Sequence, residues 1–370
     1  MECILEKYKP PIIAAFGNPL LDMCTTISDS NILDKYGLVP NGQKEVSDGD
    51  LKIFRDIRNS FTVEYHPGGA AQNTLRIFQW LISYPFYSVF FGAVGNDDEG
   101  KLIEKLVKNS GVETRYKYHD DYPTGSCLAL INGENRSLIG HLGAANMYEP
   151  SDLLQHMQIL DQVNIIYIES FFISHSYDVA LILLKLCQDK KIALVFNIGA
   201  IYMCTDFSSE VSHLAINANI LFGNKEEFKA LGKVMNLECE STYSIALALH
   251  SMSNHRAHVL NTCELGQYLN KMGKIIVVTD GKDPVMCVYG SACNKPSVIK
   301  FNVPFVKQEL IKDTTGAGDS FIAGFLAGVF VQHNLETCVA WGCWTAQQVI
   351  QLVGCQVPPY PSDGIDKIKY

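Results

Sequence analysis

What this 370-residue chain lacks narrows its function before any motif is considered. No CxxC pair occurs among its 12 cysteines, which are scattered as Cys3, Cys24, Cys127, Cys187, Cys204, Cys239 and onward. With no secretion signal at the N-terminus, they read as reduced core residues of a cytoplasmic protein, the nucleus being open as well. The acceptor triplet Asn135-Arg136-Ser137 then goes unglycosylated. Apolar runs such as Val179–Leu184 and Phe321–Gln332 are too short for a bilayer, so no membrane is expected. Positive charge is in deficit, 30 Lys and Arg against 39 Asp and Glu, a net −9 that argues against a general nucleic-acid partner. A local phosphate site is still allowed. GxGxxG would need glycine at 321, where Phe321 stands, and no GxxxxGK[ST] occurs, so neither a dinucleotide fingerprint nor a P-loop is present. Charged residues make up only 19% against 47% hydrophobic, which describes a globular chain of one large or two unequal domains.

What is there begins with Asp313-Thr314-Thr315-Gly316-Ala317-Gly318-Asp319-Ser320, followed by the apolar run Phe321–Gly328. It reads as a glycine-rich turn feeding the N-terminus of a buried helix. Free N–H groups and the helix dipole make such a start an anion site. An aspartate there would repel a bound anion, so Asp319 needs another reason. A general base that takes a proton from an alcohol, while N–H groups hold phosphoryl charge, supplies one. That is the layout of a small-molecule kinase. The same residues also fit an ordinary strand-to-helix turn.

The runs Ile12–Phe16, Tyr87–Phe91, Ile165–Ile168, Ala193–Phe196, Ile220–Phe222 and Ile275–Val278 read as strands. Between them Ala70–Ser83, Gly100–Ser110, Tyr177–Asp189 and Glu226–Leu231 carry helical spacing. The alternation predicts an α/β fold, a doubly wound and mainly parallel sheet covered by helices on both faces. Two polar, turn-rich excursions interrupt it and predict a small β-sheet lid. The expected division is 1–17, 68–115 and 142–370 for the large nucleotide-binding and catalytic domain, and 18–67 with 116–141 for the lid. Ligands of such sheets sit outside the carboxyl ends of the strands.

Three more constellations accompany the turn. Gly17–Asp22 places Asn18 and Asp22 after the first strand, where they suit a vicinal diol such as a ribose; a plain strand-ending turn is the alternative. Pro67-Gly68-Gly69-Ala70-Ala71-Gln72-Asn73 puts paired glycines before a helix with Asn73 in its first turn, and equally fits a simple helix start. Asn224 and Glu227, three apart on one helix face, suit the hydration shell of nucleotide-bound Mg²⁺. Alone, that pair reads better as a solvated helix start.

Taken with Glu64-Tyr65-His66, Gln79-Trp80, Pro123-Thr124-Gly125, Asn135–Leu138 and Phe222-Gly223, these segments resemble the ribokinase-like family of carbohydrate and nucleoside kinases, on its adenosine-phosphorylating side. The segments span most of the chain in the family's order. The resemblance implies a ribokinase-like fold that transfers the γ-phosphate of ATP to the 5′-hydroxyl of adenosine. It implies ribose contacts from Asn18, Asp22, Gly69 and Asn73, and adenine contacts from Leu20, Leu142, Ala144 and Phe172. ATP would lie over Thr279, Gly281, Asp313 and Thr314. Mg²⁺ would be organised through water by Asn224 and Glu227, with room for a monovalent cation near the anion hole. Gly316, Ala317 and Gly318 would form that hole, Arg136 would reach the transferring phosphate, and Asp319 would be the base. A monomer is implied.

The chain also departs from that pattern. Lys44-Glu45 stands where apolar residues edge the purine pocket, and Glu169-Ser170 stands where small residues precede the double phenylalanine. Gly69-Ala70-Ala71 replaces a commoner Gly-Ser-Thr, Thr315 a frequent asparagine, and His141 and Gly143 alter the purine side. A sugar kinase of the same fold is the first alternative, with Phe171-Phe172, Leu20, Gln72-Asn73 and Gln79-Trp80 favouring a nucleoside. A silent nucleotide-binding protein is the second, and intact Asp319 and glycines weigh against it. His250, His255 and His258 lack a carboxylate or cysteine partner and are a poor zinc signal. Trp80, Trp341 and Trp344 read as packing.

Overall fold

The computed structural model describes residues 12–363 apart from 28–30, 39–42, 48, 50, 133–134, 240, 253–259 and 292–294, and only the backbone at 31, 43, 135 and 136. In chain order the strands are β1 (Ile13–Phe16), β2 (Leu20–Thr26), β3 (Gln43–Glu45), β4 (Glu64–Gly68), β5 (Ser88–Gly95), β6 (Glu113–His119) and β7 (Ser126–Asn132). They continue as β8 (Asn135–His141), β9 (Ile165–Glu169), β10 (Ala193–Asn197), β11 (Ile220–Asn224), β12 (Lys274–Asp280), β13 (Asp283–Gly290) and β14 (Ser297–Phe301).

Nine of them form one sheet in the order β14-β13-β12-β11-β10-β9-β1-β5-β6, parallel from β6 to β12. The apolar runs expected as strands all lie here. Their alternate residues serve opposite layers: Ile13, Ala15, Ile165 and Tyr167 join the core beneath the helices Ala70–Ile82 and Ala317–Phe330. Ala14, Phe16, Ile166 and Ile168 join the core on the other face, with the helix Ser170–Lys190. A parallel sheet covered on both faces has no solvent side, which is why these strands read as unbroken apolar runs. The helix Ser170–Lys190 has the length and apolarity of a membrane span, yet 56% of its most apolar window is buried in this layer.

The second sheet, β3-β8-β7-β2-β4, closes over a separate core of Met23, Ile27, Leu33, Ile53, Phe54, Ile57, Leu128, Leu130 and Ile139. One expected boundary needs correction. Residues 116–119 belong to β6, which pairs with β5 at the edge of the large sheet, and the second excursion enters the small sheet only at β7. Composition misled there because an edge strand exposes polar residues such as Arg115 and Lys117, as a lid strand does. The antiparallel hairpin β13–β14 and the helix Leu335–Val349 were not anticipated. The described cysteines are free thiols. Trp80 and Trp344 stack at 5.7 Å, and Trp341 is buried. His250 meets the Gly290 carbonyl at 2.9 Å, whereas His255 and His258 lie outside the described residues.

Candidate active site

The chain leaves β1 toward β5 on one side and returns at β9 on the other, so the strand order reverses between β1 and β9. Loops beyond the carboxyl ends of strands diverge at such a point and leave a crevice. Here the ends of β9, β10, β11 and β12 and the start of the helix Ala317–Phe330 line one pocket, through Glu169, Asn197, Asn224, Glu227, Thr279 and the Gly316–Asp319 turn.

The turn is held from behind. Asp313 accepts the Thr315 N–H at 2.9 Å with one oxygen and the Gly354 N–H at 2.8 Å with the other. Its carboxylate thus braces backbone on both sides; Thr314, one residue on, lines the pocket. Gly316 adopts φ 74°, and a Cβ there would stand 2.3 Å from the Cys355 sulfur, so only glycine fits. The Ala317 N–H donates to the Thr314 carbonyl at 3.1 Å. Gly318 is exposed with open space where a side chain would be. First-turn amides of a helix have no intrahelical acceptor; Ala317 and Gly318 both line the pocket, the Ala317 N–H being shared with the Thr314 carbonyl.

Asp319 follows in the same turn, partly open to the pocket but set deep among protein atoms. Burial raises its pKa to about 6, opposed by a hydrogen bond from Asn73. That bond runs from Asn73 Nδ2 to Asp319 Oδ2 at 3.0 Å. The amide cannot turn over, because the buried Arg76 guanidinium donates to Asn73 Oδ1 at 3.1 Å while also donating to the carbonyls of Pro67 and Cys355. Arg76 was not anticipated. Its spacing three residues after Asn73, on the same helix face, was the available signal.

The paired glycines act by close approach. Gly69 has φ 94°, and a Cβ would lie 2.2 Å from the Asn18 carbonyl; on Gly68 one would lie 2.1 Å from Asp22 Oδ1. The chain thereby draws Asn18, Asp22, Gly69 and Asn73 together. Asn18 Nδ2 also donates to the Phe171 carbonyl at 3.1 Å. Leu20 and Leu142 meet across Gly125, whose Cβ would touch both. Two expected purine contacts are placed elsewhere. Ala144 is wholly enclosed, and Phe172 points into the core against Phe16 and Tyr148. Its neighbour Phe171 lines the pocket instead, since successive residues at a helix start diverge by about 100°.

Asn224 and Glu227 are bonded to each other. Asn224 Oδ1 accepts the Glu227 N–H at 2.9 Å, and Glu227 accepts the Asn224 N–H and side-chain amide at 2.8 and 2.7 Å. This capping box starts the helix Lys225–Val234, so the plain structural role is real, but both residues also line the pocket and Glu227 is buried. Burial raises its pKa. No cluster of three or more acidic, histidine or cysteine side chains poised for a metal exists among the described residues. The donor set thus fits a cation carried in by phosphates and held through water, as Mg²⁺ prefers. Thr279 lines the pocket, and Gly281 takes φ 59° in the open β12–β13 turn. Beside them Lys225 and Asp280 form an ion pair at 2.8 Å, unanticipated from sequence. The Arg136 side chain lies outside the described residues. Glu169 and Asn197 were not anticipated as site residues; their positions as last residues of apolar strands were the signal.

This geometry has counterparts among known proteins. A model described as pfkB family carbohydrate kinase matches residues 33–363. Adenosine kinase 2 of Arabidopsis thaliana is 29% identical, aligned over 95% of this chain and 96% of its own. Adenosine kinase of Dictyostelium discoideum is 31% identical over 94% and 96%. The structure of Anopheles gambiae adenosine kinase in complex with P1,P4-di(adenosine-5) tetraphosphate superposes with a TM-score of 0.79 at 28% identity, covering 94% of this chain and 97% of that one. With the fold, the glycine-rich helix start and matches over nearly its whole length in agreement, the chain belongs to the pfkB family of carbohydrate kinases.

Proposed function

We propose that this protein is an adenosine kinase, transferring the γ-phosphate of ATP to the 5′-hydroxyl of adenosine to give AMP and ADP. The observation that carries the reading is Asp319, set between helix-start amides on one side and the amide of Asn73 on the other. An alcohol held on the Asn73 side lies within reach of the carboxylate and in line with a phosphoryl group at the amides.

Asn18, Asp22, Gly69 and Asn73 supply donors and acceptors for a ribose diol, and Phe171 and Leu20 supply apolar surface for a base. Mg²⁺, arriving with ATP, would neutralise phosphate charge, and Asn224 and Glu227 would hold it through its waters. Asp319 takes the hydroxyl proton as the oxygen attacks, and the amides of Ala317 and Gly318 receive the charge on the phosphoryl oxygens. Phosphoryl transfer asks mainly for positioning and charge stabilisation, which this set provides. The small sheet, as a lid, would exclude water and limit ATP hydrolysis.

ADP production from Mg·ATP with adenosine, inosine, ribose and fructose side by side tests the reading. Turnover with adenosine, lost in Asp319→Ala, is the expected result. Turnover with sugars alone would keep the mechanism and overturn the acceptor.

A further inference from the structure

Glu169 is 2% exposed at the end of β9, directly on the phosphoryl-transfer pocket. Its Oε1 meets Asn197 Nδ2 at 2.9 Å and its Oε2 meets the Tyr167 hydroxyl at 2.5 Å. Gly199 leaves it room, for a Cβ there would lie 2.7 Å from Oε1. Among the described residues the pocket is therefore lined by three carboxylates, Glu169, Glu227 and Asp319, and by no lysine, arginine or histidine. Three like charges in one low-dielectric cleft, without a cation, do not all ionise together.

We propose that Glu169 is a positioning residue that stays protonated in the nucleotide-free pocket, leaving Asp319 as the ionised base while its neutral carboxyl group fixes the amide of Asn197. This rests on the kinase reading above. Which carboxylate keeps the proton is decided by surroundings. Asp319 has the Asn73 amide and helix-start N–H groups to stabilise its charge, and Glu227 has a backbone and a side-chain N–H from Asn224. Glu169 is the most enclosed. The groups facing it are Tyr167 on its own strand, Asn197 on β10, and the charges of Asp319 and Glu227. Burial first, and then the Asp319 charge, push its pKa well above the usual carboxylate range, against the hydrogen bonds from Tyr167 and Asn197. A neutral acid also serves the chemistry. A third anion at this place would repel the incoming triphosphate, whereas a carboxyl group holds Asn197 without doing so.

The test is Glu169→Gln, the uncharged isostere of a protonated glutamate. In it the amide nitrogen can donate to Tyr167 and the oxygen accept from Asn197. Infrared difference spectra of ligand-free enzyme at neutral pH, wild type minus Glu169→Gln, should show a protonated-carboxyl C=O stretch that shifts in D₂O. The acid limb of kcat/KM for adenosine should stay where the wild type has it. Absence of the band overturns the proposal, and so does an acid limb lowered by about a pH unit or more, which marks loss of a neighbouring negative charge. Should the variant not fold, wild type minus Asn197→Ala serves instead: losing the hydrogen bond to Oε1 should shift the C=O stretch of a protonated Glu169, and an unshifted spectrum overturns the proposal. The band reports on Glu169 whether or not adenosine is the acceptor, so failure of the functional reading and failure of this one are distinguishable.

Discussion

The Asn73 amide is bonded to the Asp319 carboxylate at 3.0 Å, tying the first turn of the helix Ala70–Ile82 to the first turn of the helix Ala317–Phe330. The two segments are 246 residues apart in the chain. Asp319→Asn keeps the shape and a hydrogen-bonding group but removes the base. Expected is a fall in kcat of about 10²–10⁴-fold, with ATP binding retained by calorimetry. An Asp319→Asn enzyme with normal turnover would remove Asp319 from the mechanism.

The same carboxylate sets a pH dependence with two signs. As the proposed base, Asp319 would have to be ionised, so activity should fall as pH drops through about 6. Stability runs the other way. The folded pKa is raised above the ordinary 3.8, so the folded state binds the proton more tightly. Its contribution is complete below the unfolded value and lost as pH rises through about 6. At neutral pH the buried charge is a burden, and Asp319→Asn should raise Tm at pH 7.5 while gaining less at pH 5. Melting curves at the two pH values, wild type against variant, check the sign.

Gly316 permits a different kind of test, since its role is steric. Gly316→Ala places a methyl 2.3 Å from the Cys355 sulfur in a backbone conformation that alanine resists. The turn must move, and the amides of Ala317 and Gly318 with it. Expected is a loss of kcat/KM of about 10²-fold or more, from misplaced donors. Adding Cys355→Ala removes the sulfur but leaves its Cβ 2.5 Å from the new methyl and the positive φ in place, so rescue should be slight. Full rescue would assign the whole effect to packing.

Much of this was legible in the sequence, for reasons that differ between elements. The central strands β1, β9, β10 and β11 were readable because both faces of a parallel sheet are buried, which writes them as short apolar runs. The Gly316–Asp319 turn was readable because its dihedrals and close approaches admit few residue types. Phe172 was not, because which of two adjacent phenylalanines faces the pocket depends on the phase of the helix Ser170–Lys190. The brace that Asp313 makes was not legible, because an acidic residue beside a glycine turn serves a backbone brace as well as it would a ligand. Glu169 was visible as an oddity in an apolar strand end, but its significance needed Asp319 and Glu227 brought to the same pocket.

Lys274 offers a stability test away from the site. It is 3% exposed at the start of β12, and its ammonium donates to the carbonyls of Ala215 and Ile216 at 2.7 and 2.8 Å, at the end of the helix Ser208–Asn217. Burial depresses its pKa from 10.5 to about 7. The unfolded chain therefore binds the proton more tightly between those values. Stability should rise with pH across that interval and fall back as pH drops toward about 7, and Lys274→Met should flatten the slope. Urea unfolding at pH 7 and pH 9 reads it directly, and an unchanged slope in the variant would assign the dependence to other groups.

On the small sheet, β3 is an edge strand that pairs Lys44 with Ile139 and Glu45 with Gly140, leaving both side chains exposed. Burial lowers the pKa of His175 and raises that of Tyr202, and Glu45 is close enough to the large domain for its charge to oppose the first shift and add to the second. Tyr202 in turn contacts Phe171, the aromatic ring that lines the pocket. The charged pair thus stands over the apolar side of the proposed nucleoside site, where an apolar ligand edge would have to strip water from a carboxylate and an ammonium to be covered. If the small sheet acts as a lid, the proposed closure would be less tight on apolar purine analogues. Lys44→Ile with Glu45→Leu should tighten their binding by about tenfold, roughly the burial of one or two methylene equivalents, with kcat for adenosine little changed. Isothermal titration with a purine-substituted adenosine analogue measures it, and unchanged affinity in the double variant would show that β3 takes no part in closing over the base.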